Sequence, residues 1–322
     1  MKTMRNTHSE IHRPVMLDRC VELLRPALGS QRPVVIDATL GLGGHTEEIL
    51  LQNPNAIVLG IDRDPKALEL AAERLAPYGE RFHGVLATYD QIPQILEELG
   101  LVGIDGALFD LGVSSMQLDR ADRGFAYAQD APLDMRMNQQ QGQTAADLLQ
   151  ELSDAELIRI FRELGEERFA GPIAREIVAQ RAKSPITTSQ QLNLIVESVV
   201  PRVPGKQSGH PAKRVYQALR IAVNDELEIL RRAIPAAIAA LRPGGRIVVM
   251  SYHSLEDAIV KAAFQEQASS STPIELPIEL PGTAARLKVL TRGVERATEI
   301  ELSQNPRAAS ARLRAAEKLE DR

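Results

Sequence analysis

The sequence predicts an α/β protein, a doubly wound and mostly parallel sheet interrupted by an inserted all-α segment. Three observations carry that expectation. Short apolar runs alternate with helical stretches from about residue 34 to 112, the pattern of strands buried on both faces. A glycine-rich turn (Gly41, Gly43, Gly44) follows the first run and opens a helix. The strand pattern then stops near residue 115 and resumes only after residue 211.

Residues 34–36 form the first apolar run, closed by Asp37, and residues 45–52 a short helix. Residues 56–62 read as a second strand ending at Asp62. Pro65 opens a helix to residue 75, since the first helical position needs no N–H and suits the fixed φ of proline. Residues 82–87 and 104–111 read as strands around a helix at 92–99. In the insertion, Ser153 with Glu156 and Thr188 with Gln191 are capping-box patterns that open helices, with a third helix at 168–181 between them. Residues 199–211 are rich in Pro and Gly and read as a linker. Residues 212–241 are helical with a break expected near Pro235, and 242–245 are a stop before a fifth strand at 246–251. A helix at 255–267 follows, and residues 268–283 are left unassigned because they are Ser-rich and then Pro-punctuated. Residues 286–291 and 311–316 form a closing pair of strands. The expected domains are therefore 1–114 with 211–322, and the helical insertion 115–210.

Composition narrows the function. A chain of 322 residues with 44% hydrophobic and 25% charged residues can bury a core without staples. The single cysteine, Cys20, excludes an intramolecular disulfide and a Cys-rich zinc site, and no His/Cys/Asp spacing suggests a metal. Residues 1–13 are polar without an apolar run after them, and no long apolar stretch occurs, so neither a signal peptide nor a membrane span is expected and the location reads as cytoplasmic. Net charge is −5, so any nucleic-acid contact must be a local patch. With no Trp, five Tyr and six Phe, a long stacking surface for single strands is not expected.

The glycine turn lets backbone approach a ligand closely. Asp62, at the end of the second strand, lies where an acid accepts hydrogen bonds from ribose hydroxyls. Together they indicate an adenosine-containing cofactor. Position 46 is Thr where a dinucleotide fingerprint has its third Gly. Asp37, just before the turn, suits the cationic end of S-adenosylmethionine and not a pyrophosphate, which wants bare amides. The turn thus favours a methyltransferase over a dehydrogenase, although a glycine turn can also serve only to pack helix on strand. Asp110 ends the fourth strand, so Asp37, Asp62 and Asp110 converge beyond the carboxyl ends of parallel strands. A helix N-cap is the plainer role for Asp110.

The chain resembles the bacterial 16S ribosomal RNA cytosine-N4 methyltransferases, the MraW family. The matching segments run in one order from residue 12 to about 317: 12–16, 37–46, 60–64, 109–117, 124–125, 132–137, 166–169, 210–214, 217–227, 251–257, 305–307 and 310–314. The resemblance implies a Rossmann-like class I methyltransferase fold and S-adenosyl-L-methionine as cofactor. It implies contact with the methionine part at Gly43, Gly44 and His45, the ribose at Asp62, the adenine at Tyr89, and a pocket completed by Asp110 and Gln117. It implies transfer of a methyl group to N4 of a cytosine in the decoding region of 16S ribosomal RNA, with the insertion as substrate-recognition domain. Asp110 is then a candidate both for the cofactor and for the amine's proton; Ser251, Tyr252 and His253 at the end of the fifth strand are the next candidates, with His253 able to accept a proton near neutral pH or to serve as a hydrogen-bonded structural histidine. Arg136, Lys213, Arg214, Arg307, Arg312 and Arg314 are candidate RNA contacts, each with the alternative of an ordinary surface charge. A DNA amino-methyltransferase fits less well, because Leu111, Gly112 and Val113 stand where those enzymes carry Pro-Pro-aromatic. A ribosome-assembly factor that binds without turnover stays open, and oligomeric state is not legible.

Overall fold

The computed structural model describes residues 13–201, 210–270, 272, 280 and 282–320. The chain divides into two compact units, Met1–Gly112 with Leu227–Arg322, and Val113–Glu226. Most of the expected 199–211 linker and parts of the 268–283 loop lie outside the described residues.

In the first unit one sheet contains β1 (Val34–Asp37), β2 (Ile57–Asp62), β3 (Phe82–Leu86), β4 (Ile104–Asp110), β5 (Leu241–Ser251), β6 (Leu287–Val289) and β7 (Arg312–Lys318). Their order is β3-β2-β1-β4-β5-β7-β6. Strands β1 to β5 run parallel, while β7 is antiparallel to β5 and β6. The sheet is Rossmann-like and doubly wound. From β1 the chain proceeds outward to β2 and β3, then returns to place β4 on the other side of β1. Such a reversal opens a crevice beyond the strand ends, here between β1 and β4. Asp37 and Asp110 are the terminal residues of those two strands.

The strict alternation of side chains along each strand explains the continuous apolar runs. Val34, Ile36, Ala107, Phe109, Ile247 and Val249 join one buried core. Their neighbours Val35, Leu108, Val248 and Met250 join the other. The first core is covered partly by helix Glu226–Ala240 through Leu230, Ala233, Ile234, Ala237 and Ile238. That packing carries the helix through Pro235, where a break was expected. The interruption falls instead at Asp225, left-handed at φ 52, after helix Lys213–Asn224. β5 also begins earlier than expected, at Leu241, with a register shift against β4 between Ile104 and Gly106. Arg242 Nη1 donates to Asp105 Oδ2 at 2.7 Å, which ties the expected stop segment to β4.

The second unit is helical, with helices Ala145–Glu151, Asp154–Glu163, Ala170–Arg181, Ser189–Val199 and Lys213–Asn224 around one core. Its N-caps Ser153 and Thr188 form the expected capping boxes, and Thr144 forms one with Asp147. Helix Lys213–Asn224 corrects the expected boundary at 210/211. It belongs to the helical unit because its apolar face, Val215, Tyr216, Ala218 and Leu219, lies in that core.

The end of this helix is held by Asn224, which is buried. Its Oδ1 accepts from Met137 N at 2.8 Å, and its Nδ2 donates to Met135 O at 2.7 Å and Arg220 O at 2.9 Å. The amide thus pins a segment in which Met135 has a positive φ of 61. Asn224→Ala leaves a buried N–H and a buried carbonyl without their partner, and each such group costs ~1–3 kcal/mol. The expected outcome is a loss of about 2–4 kcal/mol in urea denaturation followed by the helical circular-dichroism signal. A loss below about 0.5 kcal/mol, typical of neutral surface changes, would contradict it.

Candidate active site

The site is built on the first unit at the carboxyl ends of β1, β2 and β4. After β1 the chain turns through Gly41 (φ 52) and Gly43 (φ 75) into helix Gly44–Gln52. Gly43 N donates to Leu40 O at 2.8 Å, and a side chain at Gly43 would press on Leu75 Cδ1 at 2.9 Å. Gly41 N donates to Asp62 Oδ2 at 2.8 Å. Asp62 Oδ1 accepts from Asp64 N, also at 2.8 Å. Two amides of the turn are therefore already engaged, one by a carboxylate, which a pyrophosphate would have to displace. This counts against a dinucleotide site.

Asp37 is buried and accepts from Thr46 Oγ1 at 2.7 Å. Thr46, which breaks the dinucleotide fingerprint, is thus the residue that holds this acid. Burial pushes Asp37 above its ordinary range, and the nearby Asp110 charge pushes the same way. His45 is buried, and its Nε2 lies 3.1 Å from Val15 O. A carbonyl only accepts, so Nε2 carries the hydrogen. Burial pushes the imidazole below its usual range, towards the neutral form. Its Nδ1 stands 3.8 Å from Asp110 Oδ2, outside hydrogen-bond distance.

Asp110 keeps 24% of its side-chain surface exposed. Its backbone N–H donates to Thr39 Oγ1 at 2.6 Å, and its Oδ1 accepts from the Tyr252 hydroxyl at 2.6 Å. Burial raises its pKa to about 7, and Tyr252 opposes that rise. Burial likewise raises Asp62 to about 6, opposed by the amides of Asp64 and Gly41. Tyr89 packs edge-on against Phe109, ring centroids 5.7 Å apart, which brings it beside the end of β4.

The structure thus brings Gly43, Gly44, His45, Asp62, Tyr89 and Asp110 to neighbouring strand ends of one unit. Gln117 belongs to the second unit, where it is buried and its Oε1 accepts from Ser114 N at 3.0 Å in a capping box. His253 is the N-cap of helix Ser254–Gln267, with only 11% of its side chain exposed and its Nε2 3.1 Å from Glu256 Oε1. Neither of its buried ring nitrogens makes a hydrogen bond among the described residues.

Two of the six candidate RNA contacts are occupied by carboxylates. Arg314 donates from Nε and Nη2 to Asp257 at 2.7 and 3.0 Å, with 12% of its side chain exposed. Arg136 donates to Asp134 at 2.8 and 2.9 Å and to Gly142 O. Arg312 lies 3.9 Å from Asp257 with 29% of its side chain exposed. Lys213, Arg214 and Arg307 are exposed, and Arg214 Nη1 donates to Glu166 O at 2.7 Å. Sequence reasoning placed Tyr252 on the rim as a further acceptor candidate and not as a donor to Asp110; that bond spans 142 positions, which no local pattern signals. Among the described residues no cluster of His, Cys, Asp and Glu could hold a metal ion, and no helix is long and apolar enough to cross a membrane.

Comparison with known proteins adds an independent line. A ribosomal RNA small subunit methyltransferase H from Pseudarthrobacter chlorophenolicus is 55% identical over 319 residues, covering 98% of this chain and 97% of that protein. The protein of the same name from Saccharopolyspora erythraea is 56% identical over 310 residues, covering 96% and 94%. Among solved structures, an rRNA methylase from Streptococcus thermophilus aligns at 14% identity and a TM-score of 0.42, covering 96% of this chain and 99% of that one. The profile of the MraW methylase family matches residues 9–319. The chain belongs to the MraW methylase family.

Proposed function

We propose that this protein transfers a methyl group from S-adenosyl-L-methionine to the exocyclic N4 of a cytosine in the decoding region of 16S ribosomal RNA, in the cytoplasm and on the small ribosomal subunit. The observation that carries the reading is Asp110, a carboxylate at the sheet's reversal point whose Oδ1 is held by Tyr252 and whose Oδ2 has no donor within hydrogen-bond distance among the described residues. The names of the relatives support rRNA of the small subunit as substrate.

The residues present fit the cofactor. Asp37, Asp62 and Asp110 are raised by burial, and Asp37 acts electrostatically on Asp62 as Asp110 does on Asp37. A sulfonium and an ammonium relieve that mutual repulsion. Asp62 would hold the ribose hydroxyls, Tyr89 would lie against the adenine, and Gly43, Gly44 and His45 would line the methionine end. When bound, S-adenosylmethionine supplies an electrophilic methyl group, its C–S bond breaking with the electron pair left on sulfur as the N4–C bond forms.

The chain's own work is to orient the amine and receive its proton. The N4 lone pair is delocalised into the ring, so an acceptor at one N4–H favours its release as nucleophile. Asp110 Oδ2 is that acceptor, and it takes the N4 proton once the new bond makes the amine acidic. Positioning supplies most of the remaining acceleration. The target base must be unstacked to be reached. The helical unit is assigned to RNA recognition, with Lys213 and Arg214 as its exposed cations, and the exposed Arg307 of the first unit is a further candidate contact.

Radiolabelled methyl transfer to small subunits from cells lacking this protein, followed by nucleoside analysis, tests the reading. Label in N4-methylcytidine is expected; label in another nucleoside, or binding of cofactor without transfer, overturns it. Asp62→Ala removes a charge-assisted acceptor worth ~1.5–3 kcal/mol and is expected to weaken cofactor binding about 10- to 100-fold by calorimetry. Unchanged affinity would remove Asp62 from the site. Since kcat/KM follows the free enzyme, it is expected to rise with pH through a midpoint near 7 as Asp110 ionises. A flat profile between about pH 6 and 8 would contradict Asp110 as acceptor. Lys213→Ala is expected to lower RNA affinity and reduce the salt slope by about 1, and an unaltered slope would return it to the solvated surface.

A further inference from the structure

Tyr252 follows the last residue of β5, and its hydroxyl is one short hydrogen bond from Asp110. Three features of the surrounding chain fix that contact. Leu111 N donates to Met250 O at 2.9 Å, which continues the β4–β5 pairing one step beyond Asp110 and sets the spacing of the two residues. Gly112 has φ 109, and a Cβ there would stand 3.2 Å from Tyr252 Cδ2, so the ring lies on bare backbone. The buried Glu256 accepts through Oε2 from Tyr252 N at 2.7 Å and His253 N at 3.2 Å, anchoring the backbone that carries the ring.

We propose that Tyr252 is the positioning residue of methyl transfer: its hydroxyl occupies Asp110 Oδ1 and thereby aims Oδ2 as the single oxygen that receives the amine's proton. The inference rests on the reading of Asp110 as that acceptor. A free carboxylate turns broadly about its last torsion, and the bond to a phenol removes that freedom. An O–H···O⁻ contact of this length is charge-assisted, so it also favours the ionised carboxylate. Groups facing Asp110 from the elements around it are Asp37 of β1, Cys20 of helix Leu17–Leu24, His45 of helix Gly44–Gln52 and Glu256 of helix Ser254–Gln267. Two are acids, Cys20 is a buried thiol, and His45 is neutral and beyond bonding distance. Tyr252 is therefore the side chain that donates to this carboxylate among the described residues. It does so over the whole working range, because burial and Asp110 itself push the phenol well above its ordinary pKa.

The test is single-turnover methyl transfer by the full chain to unmodified small subunits between about pH 5.5 and 9. Tyr252→Phe keeps the ring on Gly112 and removes the donor. With cofactor saturating, the acid limb of its rate profile is expected to move up by about one pH unit, with rates about tenfold lower below the limb. A fluorinated tyrosine at position 252 keeps the shape and strengthens the donor, and is expected to move the limb down. This second variant decides the matter if Tyr252→Phe folds poorly. An unmoved limb in both variants, with Asp110→Asn inactive, overturns the role of Tyr252 and leaves the acceptor reading standing. Transfer by Asp110→Asn at the unsubstituted rate overturns the acceptor reading and this inference with it.

Discussion

Ionising a carboxylate at the end of a buried parallel strand is costly, because the low-dielectric surroundings replace water poorly. Asp110 lives under that constraint, and the rest of the site is arranged around it. One oxygen is given a phenolic donor and the other is left without one, so the group is poised near neutral pH and not locked into either form. The folded state consequently holds the Asp110 proton more tightly than the unfolded chain. Stability is therefore lost as pH rises from the ordinary carboxylate range towards 7, and a bound cation restores it by favouring the anion. In the proposed reading, cofactor binding and proton acceptance are coupled through this one group.

The fold makes that placement possible. Because both faces of the sheet are buried, the strands can be almost wholly apolar, and polar residues are confined to their ends. The reversal between β1 and β4 leaves those ends uncovered by a crossover helix, which is why Asp37 and Asp110 sit side by side in the fold though far apart in the chain. Thr39 contributes to both, since its amide donates to Asp37 Oδ1 and its hydroxyl accepts from Asp110 N. Thr39 of the turn therefore ties Asp37 to Asp110.

What was legible in the sequence was local. Alternating apolar runs, Pro65 at a helix start, and the capping boxes at Ser153 and Thr188 act within a few residues, and each appears as read. Helix Leu17–Leu24 escaped because its N-cap, Met16, is left-handed and offers no side-chain cap. Helix Ala145–Glu151 escaped because its box uses Asp147 in place of Glu or Gln. The acids of the site were readable as strand-terminal residues, but their partners were not. Tyr252 for Asp110, Asp257 for Arg314 and Met137 for Asn224 are all tertiary pairings. Arg314 looked like a phosphate contact because composition does not reveal which cations are already paired.

The central claim is that Asp110 is a carboxylate near its own pKa at physiological pH and that a cationic ligand shifts it. Carbon NMR of isotopically labelled aspartate carboxyls, assigned with Asp110→Asn, measures this directly in the free protein and with S-adenosylmethionine. The account predicts titration near 7 without ligand, at the value burial sets, and a clear fall when the sulfonium binds, larger than that produced by the uncharged thioether product. Titration in the ordinary carboxylate range in the free protein, or no response to the sulfonium, would contradict it.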